Sequence, residues 1–113
     1  SAMPALDWSP LLELEQIIEE EQGSIDEMLV FSRYGFTEAP FSHLHALYGD
    51  QVDGWKAAEL AEALGDLLDA VDALVADGFV DDWESELAGR FHDRLQTARR
   101  LEERISSDEF ASN

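Results

Sequence analysis

The chain contains no cysteine. That single absence excludes a disulfide framework, a thiolate zinc site and a cysteine nucleophile. It also fits a reducing cytoplasm, which is the expected location. Basic residues are scarce: seven Lys and Arg stand against 26 Asp and Glu, for a net charge of −19. None of the seven lies between Lys56 and Arg90. No apolar run approaches the roughly 20 residues that a membrane-spanning helix needs. The N-terminus has no basic-then-apolar signal pattern. Ser1-Ala2 ahead of Met3 has the look of a protease scar left by expression, which makes Met3 the expected natural start. The seven glycines sit singly at helix ends or inside helical patterns, so there is no glycine-rich phosphate loop and no dinucleotide fingerprint, and no G-x-S-x-G elbow occurs either.

What the chain does have is a globular composition, 45 % hydrophobic and 10 % aromatic, over 113 residues. That is one domain on length, large enough to bury a core without staples. The domain is expected over residues 3–106, with 107–113 as a frayed C-terminal tail.

Periodicity is helical throughout, and no strand pattern or internal repeat is present. Residues 3–8 read as an irregular lead-in. Ser9-Pro10 reads as cap and first turn of a helix running to about Gln22. Its buried side is Leu11, Leu14, Ile17 and Ile18, and Glu13, Glu15, Glu19, Glu20 and Glu21 fall mostly outside. Gly23 and the Ser24–Glu27 capping box open a second helix with Ile25, Met28, Leu29 and Phe31 inward, ending at Gly35. Thr37 and Pro40 start a third, with Phe41, Leu44, Leu47 and Tyr48 as its stripe and Gly49 as its stop. Asp53 caps the central helix, where Leu60, Leu64, Leu67, Val71 and Leu74 line one side. Gly78 ends it. Asp81 or Asp82 caps the last helix, whose stripe is Trp83, Leu87, Phe91, Leu95, Ala98, Leu101 and Ile105. The expected fold is an all-α single compact bundle of about five helices, the two longest (about 54–77 and 82–105) antiparallel.

Gly65 and Gly89 interrupt helices at about 1 kcal/mol each relative to alanine. Close helix packing is the expected reason, and a bend or a surface kept clear for a partner is the alternative.

Catalytic and metal chemistry find little support. His43 and His45 are two apart and diverge by roughly 160° on a helix, so they cannot share an ion. His92 has no ligand one turn away. An EF-hand needs carboxylates at alternate positions before its glycine, and Leu74 and Ala76 occupy those places. Carboxylate pairs are so abundant that none stands out as a catalytic acid and base. The chain is expected not to be an enzyme, and no catalytic residue, metal site or cofactor is assigned.

DGFVDDWE, residues 77–84, is similar to the DGxVxxxE turn of TerB-like tellurite-resistance domains, which are acidic helical folds. The resemblance covers one turn, and helix capping explains Asp77, Gly78, Asp81 and Glu84 as well. It implies, as an alternative, a metal- or small-ligand-binding helical domain. A structural subunit pairing through the stripe from Trp83 to Ile105 is a further alternative.

The charge pattern is the stronger pointer. From Arg90 onward five arginines balance Asp93, Glu102, Glu103, Asp108 and Glu109, so the whole excess lies earlier. Glu59, Glu62, Asp66 and Asp69, with Asp72 at the edge, share the outer side of the central helix. Such a surface repels nucleic acid and anionic membranes and attracts basic proteins. The expected function is non-enzymatic: an acidic protein that neutralises a basic partner, either a toxin, as immunity proteins and antitoxins do, or a nucleic-acid-binding protein, as DNA mimics do. The expected contacts are Glu59, Glu62, Asp66, Asp69 and Asp72, then Glu13, Glu19 and Glu20. Trp55 and Tyr48 are expected aromatic anchors, with Trp8 and Tyr34 as further candidates. No direct nucleic-acid or membrane contact is expected, and the chain is expected to be a monomer or homodimer.

Overall fold

The computed structural model describes residues 5–22, 32 and 39–107. Among them are four α-helices and no strand: α1 (Ser9–Gln22), α2 (Pro40–Tyr48), α3 (Gly54–Ala76) and α4 (Ser85–Ser106). The fold is all-α as expected. Of the anticipated second helix only Ser32 is described, in helical conformation; Gly23, the Ser24–Glu27 box and Gly35 lie outside the described residues, as do Thr37 and Tyr34.

The core assembles from the predicted stripes. Leu11, Leu14, Ile17 and Ile18 of α1 are buried, as are Leu60, Leu64, Leu67, Leu68, Val71 and Leu74 of α3. Phe91, Leu95, Ala98, Leu101 and Ile105 of α4 close against them. The last stripe, a candidate for pairing with another helix, is thus used inside the chain. Helices α3 and α4 run antiparallel, because Gly65 faces Glu102 while Asp69 and Asp72 meet Arg99. Among the described residues no helix is long and apolar enough to cross a membrane.

The ends of α3 follow local rules. Asp53 accepts the Lys56 N–H at 3.1 Å, a side-chain N-cap. At the other end Gly78 adopts φ +86°. There the Gly78 N–H reaches the Val75 carbonyl and the Phe79 N–H the Leu74 carbonyl, both at 3.0 Å. These paired bonds are a Schellman stop, which needs the left-handed backbone that glycine adopts without strain.

The start of α4 departs from expectation. The chain turns through residues 77–83, and the helix begins at Ser85 with Glu84 at the cap position and no side-chain cap bond. Neither Asp81 nor Asp82 serves as the cap. Aromatic packing fills this turn: Trp83 is buried in it, edge-on to Phe79 at 5.7 Å and to Phe91 at 5.1 Å. With that ring seated in the turn, the cap position falls at Glu84, two or three residues beyond the expected Asp82 or Asp81.

The lead-in is ordered where described. Ala5 bridges to Gln51, and the Leu6 N–H donates to the Asp50 carbonyl. The Trp8 indole donates to the Gly49 carbonyl at 2.5 Å, and its ring lies 5.0 Å from that of His45. Trp8 is therefore a buried peg and no exposed anchor. The first bond of α1 starts from the Trp8 carbonyl, and the Asp7 carboxylate takes the Ser9 N–H at 3.0 Å. Asp7, not Ser9, is the capping side chain here.

Gly89 meets no atom within 4 Å of where a Cβ would sit, and at Gly65 the nearest is the carboxylate tip of Glu102 at 3.4 Å. Close backbone approach does not explain Gly89. Gly89→Ala is accordingly expected to stabilise the fold by about 1 kcal/mol, the difference in helix propensity, as read by chemical denaturation. A loss of stability would reveal packing around this site that the geometry lacks.

Candidate functional site

The outer side of α3 carries a straight stripe: Trp55, Glu59, Glu62, Asp66 and Asp69, at steps of three and four. All five are exposed. Leucines and alanines at the intervening positions are drawn into the core, which forces these side chains outward together. Asp72 flanks the stripe and is also exposed.

The stripe divides into two parts. Arg99 of α4 reaches Asp69 at 2.7 Å and also hydrogen-bonds Asp72. Burial works against the guanidinium charge, but the bonds from Asp69 and Asp72 outweigh it and raise the Arg99 pKa. That end of the stripe is partly compensated from within the molecule, one guanidinium against two carboxylates. Among the described residues no Lys, Arg or His pairs with Glu59, Glu62 or Asp66. These three unpaired carboxylates span about 10 Å of helix at 1.5 Å per residue.

The carboxylates of α1 divide in a similar way. Glu13 takes Arg90 at 2.6 Å and Arg94 at 2.8 Å. The hydrogen bond from Arg90, with Arg94 close by, holds the Glu13 carboxyl below its ordinary range. Glu13 is therefore a bridge from α1 to α4. Glu19 and Glu20 remain exposed, and Glu20 accepts from Gln16 at 3.0 Å. An open groove of about 410 Å³ lies between these helices, lined by Leu12, Ile17 and Leu87 with the Glu13–Arg90 pair.

Glu15, expected outside, is buried. One carboxylate oxygen accepts the Phe41 N–H at 2.7 Å and the Ser42 N–H at 3.2 Å, and the other accepts the Ser42 hydroxyl at 2.5 Å. It caps α2 from another helix. The need is local: Pro40 opens α2, and its cap residue Ala39 sits at φ +78° with no side-chain oxygen to offer. A carboxylate at a helix N-terminus also meets the positive end of the dipole.

The aromatic candidates separate clearly. Trp55 is 66 % exposed, with the Lys56 ammonium 5.8 Å from its ring centroid. Tyr48 is half-buried. Burial, with the nearby charge of Glu59, raises its phenol pKa. Leu47, expected in the α2 stripe with Phe41 and Leu44, is 61 % exposed instead. His45 finds an acidic partner in Asp50 at 3.0 Å, beyond helical spacing, which sequence periodicity could not register.

The raised phenol has a checkable consequence. The folded state keeps the Tyr48 proton to higher pH than the unfolded chain, so stability falls as pH rises beyond the ordinary tyrosine range. Glu59→Gln removes the charge contribution and should lower the Tyr48 midpoint in an absorbance titration. An unchanged midpoint would assign the shift to burial alone.

Among the described residues no three His, Asp or Glu side chains converge in a way that would hold a metal ion. Comparison of the chain with models of protein families, with curated proteins and with solved structures finds no match.

Proposed function

We propose that the protein is a non-enzymatic acidic binder that neutralises a basic protein partner. The observation that carries this reading is the run of carboxylates, Glu59, Glu62 and Asp66, that have no ion pair among the described residues and continue directly from an exposed tryptophan. Opposite charge accelerates encounter, while a desolvated aromatic supplies holding energy. Carboxylates that already have arginine partners offer little to a second cation, so Asp69, Asp72 and Glu13 take a smaller part than their charge suggests.

An inhibitor of a toxin, of the immunity or antitoxin kind, fits better than a DNA mimic. A phosphate track is long and regular, with a charge every 1.7 Å of duplex axis. Here the unpaired stripe ends where Arg99 takes Asp69 and Asp72. A short acidic patch beside an aromatic suits a discrete basic site on a protein.

The test is affinity capture from nuclease-treated lysate, eluted by a salt step and read by mass spectrometry. A dominant basic protein retained past the salt that strips other cationic proteins is the expected result. A diffuse set of basic proteins leaving together at low salt would refute the reading, because unspecific attraction is screened at that ionic strength.

A further inference from the structure

We propose that Trp55 and Glu59 form an arginine-reading site, where a guanidinium of the basic partner stacks on the indole and pairs with the carboxylate one turn away. This rests on the basic-partner reading and narrows it to one side-chain type. Trp55 is 66 % exposed, whereas Trp8 and Trp83 are 3 % and 7 % exposed. A ring of that size is left in water on a helix whose other large apolar groups are buried. The Lys56 ammonium lies over one face of the ring, 5.8 Å from its centroid, so an incoming guanidinium displaces that cation or stacks on the other face. Glu59 stands four residues on, along the same side of α3, with no ion pair among the described residues and the half-buried Tyr48 within electrostatic reach.

The planar guanidinium suits this pair better than an ammonium does. It stacks on an aromatic face while directing two parallel N–H groups at one carboxylate, and an ammonium cannot make both contacts with the same geometry. A second copy of the chain is a poor donor of that group. Its net charge of −19 repels, and each of its arginines among the described residues has a partner: Arg90, Arg94 and Arg99 with Glu13, Asp69 and Asp72, Arg100 with Thr97, and Arg104 as well. The occupant is an arginine on a different, basic protein.

Two synthetic peptides, identical except that one carries three arginines and the other three lysines, provide the test. Each is titrated into the full chain at physiological salt by calorimetry, with tryptophan fluorescence as the second readout. The arginine peptide is expected to bind about tenfold more tightly, the scale of a stacked and paired cation, and to perturb the solvent-exposed tryptophan emission. Trp55→Ala and Glu59→Gln, both surface changes checked by circular dichroism, should each reduce the arginine peptide to the lysine level. Equal affinities, no binding of either peptide, or a preference that survives Trp55→Ala would overturn the site. A captured basic protein that binds both variants as tightly as the parent would remove this site and leave the acidic-binder reading intact. Capture of only loosely held cations would remove that reading instead.

Discussion

Glu15→Ala is expected to destabilise the fold by about 3 kcal/mol, a sum over lost bonds to a charged acceptor and newly orphaned N–H groups. The carboxylate is 6 % exposed and holds the first turn of α2 through Phe41 and Ser42. Alanine leaves the Phe41 N–H buried without a partner, since Ala39 offers no oxygen and Pro40 fixes the backbone ahead of it. For a domain of this size the melting temperature should fall by at least ~10 °C. Glu15→Gln is expected to lose about 1 kcal/mol, because the amide oxygen still accepts although the charge that favours the helix dipole is gone. Thermal and urea denaturation of both variants checks this. A loss below about 1 kcal/mol for alanine, within the ordinary range for a peripheral cap, would mean that α2 is held by Phe41 and Leu44 alone.

Reversing Glu59, Glu62 and Asp66 together to lysine is expected to weaken the basic partner at least ~100-fold, mostly through slower association. Helical content should not change, since all three side chains are exposed and unpaired among the described residues. The division of the stripe supplies the contrast. Arg99→Ala releases Asp69 and Asp72 from their common partner and should speed association, at a cost in stability. Reversal of Glu19 and Glu20 on α1 should have the smaller effect. Stopped-flow binding of the captured partner at two salt concentrations measures all of these. A triple reversal with unchanged association would remove α3 as the binding side.

Much of the fold is legible because its determinants are local. The leucine stripe of α3, the Asp53 cap and the stops at Gly49 and Gly78 all depend on residues within a turn or two. What escaped depends on residues far apart in the chain. The Glu15 bonds span 26 and 27 residues, Arg99 reaches back 30 to Asp69, and the Arg90–Glu13 pair spans 77. A signal for Glu15 was nevertheless present. It stands four residues after Leu11 and three before Ile18, within the stripe that faces the core, where a carboxylate requires a polar partner. The base-free run from Lys56 to Arg90 suggested an uncompensated face, but charge balance along a sequence does not report charge balance in space. Arg99 alone compensates Asp69 and Asp72, two of the five carboxylates on that side. Trp55 and Trp8 illustrate the same limit. Both stand near helix starts, and only the loop at residues 49–52, folded back on the lead-in, decides which ring is covered.

The central claim, that the α3 side takes a basic protein, is tested most directly by NMR of the isotopically labelled chain with and without the captured partner. Shifts concentrated at residues 55–66, with the Trp55 indole signal moving while those of Trp8 and Trp83 stay in place, are the predicted result. Shifts confined to α1 or to the exposed side of α4, with the Trp55 indole unmoved, would contradict it.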